Sequence, residues 1–123
     1  MRHLLTAAAI IAGLTLNVAA ACVTTGHDDA AMDKVESSWP AADNADRDGS
    51  YASALAKLNA TYVYVADIRT PKLRACVANA TQGRIVSARA GAVYLAHHPG
   101  DRPGAKHAAA LAWKAFPFMT TCP

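Results

Sequence analysis

Three sets of residues in this chain could do chemistry. They are the run Asp43–Tyr51 (DNADRDGSY), the histidines His97, His98 and His107, and the thiols Cys22, Cys76 and Cys122. The first spaces side-chain oxygens ahead of a glycine, as calcium loops do. With Gly49 at the sixth position of such a twelve-residue loop, Asn44, Asp46 and Asp48 fall at the first, third and fifth. The first should be Asp, and the twelfth should be a bidentate Glu but is Leu55. Only two carboxylates would face a hard cation there. Asp, Asn and Gly are equally what a joint between two helices requires, because they cap ends and accept left-handed backbone. The stretch is therefore expected to be a joint, and no metal is expected in it.

Imidazole is a common ligand for zinc and copper, so a cluster of His97, His98 and His107 around a Pro/Gly loop could take an ion. Adjacent histidines rarely reach one ion together, and only Asp101 accompanies them, so surface histidines are the expectation. Catalytic patterns are missing: there is no Gly-x-Ser-x-Gly, no His-Glu-x-x-His and no phosphate loop. The single glutamate is Glu36. The sequence thus reads as non-catalytic and without a cofactor.

The thiols depend on the compartment. Met1-Arg2-His3 is a short positive start, Leu4 to Leu16 is mostly apolar, and Asn17 to Ala21 ends in small residues. This is the layout of a signal peptide over residues 1–21, with a retained membrane anchor as the alternative. Ala19 to Cys22 (AAAC) resembles the lipobox of bacterial lipoproteins, although Ala19 stands where that motif prefers Leu. The resemblance implies lipidation of Cys22; an ordinary cut before Ala21 or Cys22 is the other reading. An odd number of cysteines in an exported chain asks what the unpaired one does. If Cys22 carries lipid, Cys76 and Cys122 remain as a pair for an oxidising compartment, whereas pairings through Cys22 leave a free thiol. The sequons at Asn59 and Asn79 matter only in a eukaryotic secretory route, and the leader points to a bacterium.

The elements that must hold these groups follow from spacing. Residues 22–27 read as a tether and 28–123 as one small domain. Met32, Val35 and Trp39 share one face of a helix starting at Asp28 and stopped before Pro40. Tyr51, Leu55, Leu58, Tyr62 and Val65 form a helical stripe behind Ser50 as N-cap, running to about Arg69. Thr70-Pro71 opens another helix with Leu73, Cys76, Val77 and Ala80 on its buried face and Gly83 as its C-cap. Residues 84–98 fit a further helix, and Pro99–Gly104 a loop. A last helix over Ala105–Phe116 should deliver Phe118, Met119 and Cys122 to the core. Abundant alanine favours a mostly α, thin-cored domain stapled by one disulfide. The alternative is α+β, with strands near 61–66, where Tyr-Val-Tyr-Val is β-prone, and near 84–96.

Charge is segregated within a net +3. Acidic residues crowd the chain before Ile68, while Arg69, Lys72, Arg74, Arg84 and Arg89 follow with Asp101 as the only later carboxylate. Such blocks either steer an oppositely charged partner or neutralise one another inside the fold. The expectation is an envelope protein partner, with a lipid anchor at the membrane and no nucleic acid. The alternative is an anionic lipid, a cell-wall polymer or a metal ion met by the basic half and the histidines.

Overall fold

The computed structural model describes residues 26–123, and the signal-peptide segment, the lipobox-like stretch and Cys22 lie outside the described residues. Four helices and no strand make up those residues: α1 Gly26–Arg47, α2 Tyr51–Ala66, α3 Pro71–His97 and α4 Arg102–Ala115. The mostly α reading holds, and both candidate strand segments are helical, 61–66 within α2 and 84–96 within α3. Each helix packs chiefly on its neighbour in sequence, α1 on α2, α2 on α3 and α3 on α4.

Several boundaries differ from the expected ones. α1 begins at Gly26, inside the expected tether, and runs through Pro40 to Arg47. A proline in a helix loses one backbone bond and crowds the preceding turn. Here Pro40 is exposed while Ala42 and Ala45 continue the buried stripe of Ala31, Met32 and Val35. That burial carries the helix past the proline, so Asn44 and Asp46 stand on its last turns and not in a loop. The joint itself is Asp48–Ser50, closed by Gly49 at φ 78°, where the left-handed backbone suits glycine. The expected break at Gly83 is absent as well: α3 continues for 27 residues to His97. Gly83 is buried, and a Cβ there would overlap the ring of Phe118. Its smallness makes room for the C-terminal tail and does not end a helix. α4 starts at Arg102, three residues early, because Asp101 caps it through the Gly104 N–H at 3.0 Å.

The core is two connected layers. One gathers Met32, Val35, Val65, Ile68, Leu73 and Val77 near the start of α3. The other holds Tyr51, Leu58 and Ile85 among Ala42, Ala45, Ala54, Ala88, Ala105 and Ala109, with Trp39 and Tyr62 packed against both. Alanine lets helix axes approach, at the expense of apolar area per residue. Cys76 is buried on α3 and bridged to Cys122, with Cα atoms 5.7 Å apart and a separation of 46 positions in sequence. In the chain-entropy description a loop of that length adds about 4 kcal/mol. The tail lies along α3: Asn79 donates to the Pro117 carbonyl and accepts from the Met119 N–H, and Phe118 packs on Phe116 and Trp113. Met119, expected in the core, is 47% exposed instead.

Candidate functional site: a groove between the third and fourth helices

The candidate site is built on the flank of α4 that faces the last turns of α3. α4 is held to α3 by the buried Ala105 and Ala109 and by the Ser87 hydroxyl, which donates to the Ala109 carbonyl at 2.9 Å. Beside this seam Val86, Ala90 and Val93 on α3 meet Ala108 and Ala112 on α4 to line a groove of about 580 Å³. The small alanines on both walls make the groove. Val93 stays 52% exposed, and Leu111 on α4 is 53% exposed. Arg89, Tyr94, His97 and His98 complete the lining, so an apolar trough carries a basic edge.

One end of the groove is fixed by a small network. The Tyr94 hydroxyl donates to Asp101 at 2.6 Å, and the Tyr94 ring stacks on His98 with centroids 4.4 Å apart. The bond from Tyr94, then the Gly104 N–H, hold the Asp101 carboxyl below its usual value, and the bond to Asp101 raises the Tyr94 phenol. Gly100, at φ 83°, turns the chain between the helices.

The residues singled out from sequence separate into three places. Arg69, Lys72 and Arg74 are exposed around the start of α3, and Arg74 donates to the Ile68 carbonyl at 2.8 Å. Arg84 is tied inward: it pairs with Asp43 at 3.2 Å and lies 4.2 Å over the Trp39 ring. It therefore joins the acidic and basic halves. Arg89 alone of the five belongs to the groove. His97 and His98 sit there too, while His107 is exposed on α4 and outside the groove lining. No group of three His, Cys, Asp or Glu able to hold an ion occurs among the described residues.

Sequence reasoning missed Asp28. Its side chain is fully buried and accepts from the Arg69 N–H at 2.7 Å, the Thr70 N–H at 3.0 Å and the Thr70 hydroxyl. Burial pushes this carboxyl up, but the Thr70 and Arg69 bonds outweigh it and leave it below the usual range. Expected only as the first residue of its helix, Asp28 instead fastens the start of α1 to the α2–α3 turn. No local signal could reveal that partner, 41 residues away. No protein-family model, curated protein or solved structure matches the chain.

Proposed function

We propose that this is an exported, non-catalytic protein of the bacterial envelope, anchored by lipid on Cys22, that binds another protein through the α3–α4 groove. Its role would be that of an inhibitor, an immunity or exclusion factor, or an accessory subunit. The observation that carries the reading is the apolar trough edged by Arg89, His97 and His98. That chemistry suits an amphipathic helix bearing acidic residues beside its apolar face, laid into the groove. Exposed Val93 would be covered by such a helix, and Arg89 would pair with its acids.

The test is a pull-down from envelope extract with the mature protein, followed by affinity measurement on the captured partner. The wild type should give a stoichiometric complex that weakens as salt rises. Val93→Asp should abolish it and Arg89→Glu should weaken it by about tenfold or more, both with unchanged melting. A complex indifferent to these changes removes the groove from the reading. The second reading is a binder of anionic lipid or cell-wall polymer, and it is favoured by the exposure of Arg69, Lys72 and Arg74 together at one end of the bundle. Co-sedimentation with anionic vesicles or sacculi, lost on reversing those three charges, would establish it instead.

A further inference from the structure

The opposite flank of α4 holds a second cavity, independent of the groove and of the partner reading. α1 and α4 make at most marginal contact, and the gap between them is a pocket of about 360 Å³. Its walls include Asp46 at the end of α1, Tyr51 at the start of α2, Ser87 on α3, and Lys106 and Trp113 on α4. We infer that this pocket binds a small organic amine, its ammonium group held by Asp46 and Tyr51 and its carbon frame laid against Trp113.

Two polar atoms in these walls point to a ligand. Tyr51 is only 3% exposed, and its hydroxyl has no hydrogen-bond partner in the protein. The Asp46 Oδ1 is buried and likewise unpartnered. Buried polar groups are as a rule hydrogen-bonded, and leaving one unpaired costs about 1–3 kcal/mol. Three neighbouring donors are engaged elsewhere. Ser87 donates to Ala109, Arg47 reaches the Asn44 side chain at 2.8 Å, and Arg84 holds Asp43. Lys106 is exposed.

The chemistry of the ligand follows by elimination. At the buried Oδ1 itself the charge is that of Asp46, with Asp43 close by, which disfavours an anion there, while the cationic wall residues Arg47 and Lys106 are exposed. Burial first, and then the Asp43 charge, push the Asp46 carboxyl above its usual value, so a positive group there is rewarded. A metal ion would find too few oxygens, since hard cations want six or more. A neutral alcohol could donate to Asp46 but would leave its charge uncompensated. An ammonium supplies both donor and charge, and it can sit near an indole face. Burial and Asp46 also raise the Tyr51 phenol, with Arg102 partly offsetting them, so Tyr51 stays protonated and can contribute its hydroxyl. At about 360 Å³ the space lies at the small end of ligand pockets, the size of a metabolite.

The experiment is calorimetric titration of the mature protein with phenethylamine and, as its neutral counterpart, 2-phenylethanol, with amide shifts recorded by NMR. Saturable binding of the amine is expected, at least about tenfold tighter than the alcohol, with shifts centred on Ala109, Ala110 and Trp113. Asp46→Asn should weaken the amine by about tenfold or more and leave the alcohol unchanged. Tyr51→Phe, which removes only the hydroxyl, should weaken the amine by a smaller factor. No saturable binding at millimolar amine, equal affinity for the alcohol, shifts centred elsewhere, or full affinity in a folded Asp46→Asn protein would each overturn the inference.

Discussion

At the scale of single residues, the strongest polar anchor is Asp28. It is a buried carboxylate with three hydrogen bonds across 41 or 42 positions of sequence. Asp28→Asn should destabilise the protein by about 1–3 kcal/mol, because an amide cannot accept all three bonds. The sign with pH follows from a carboxyl held lower in the folded chain than in the unfolded one. The stabilisation is complete above the ordinary aspartate range, near about pH 4, and is lost as pH falls through the folded value. Chemical denaturation of wild type and Asp28→Asn at several pH values should show their difference shrinking only in strong acid. A constant difference from neutral pH to well below that range would argue against an ionised Asp28. Arg84 is the complementary case: its charge is spent on Asp43 and Trp39, so Arg84→Ala should loosen the fold before it affects any partner.

At the scale of elements, periodicity placed the buried faces well. Leu58 and Val65 of the α2 stripe and Leu73, Cys76 and Val77 of α3 are all buried. The Thr70-Pro71 start was legible because fixed φ and a missing N–H suit a first helical turn. Element ends were less legible wherever long-range packing overrode a local breaker. Pro40 remains helical because Ala42 and Ala45 beyond it are buried, and Gly83 because the tail needs its missing side chain. Neither candidate pocket could be read from sequence. The α3–α4 groove joins residues about twenty positions apart, and Asp46 looked like part of a joint. Gly91 gives the sharpest test at this scale. Alanine there should gain about 0.8–1.0 kcal/mol of helix propensity. Its Cβ, however, would press into the buried Tyr51 ring. Overpacking typically costs about 1–3 kcal/mol, so Gly91→Ala should lower the melting temperature; a rise would mean that the Tyr51 ring can move aside.

At the scale of the whole molecule, an alanine-packed bundle is clamped at one end by Asp28 and along α3 by Cys76–Cys122. Cys76→Ser and Cys122→Ser should each cost about 4 kcal/mol, and the double variant should be no worse, since each single change removes the same bridge. Additive losses in equilibrium unfolding would reject that account. No helix among the described residues is long and apolar enough to cross a membrane. Because each helix rests mainly on the one before it, contacts are short in sequence, and such topologies fold on the order of microseconds to milliseconds. A chain emerging from its amino end could complete one interface as each new helix arrives. Sulfur oxidation would come last, sealing a shape already reached and not selecting it.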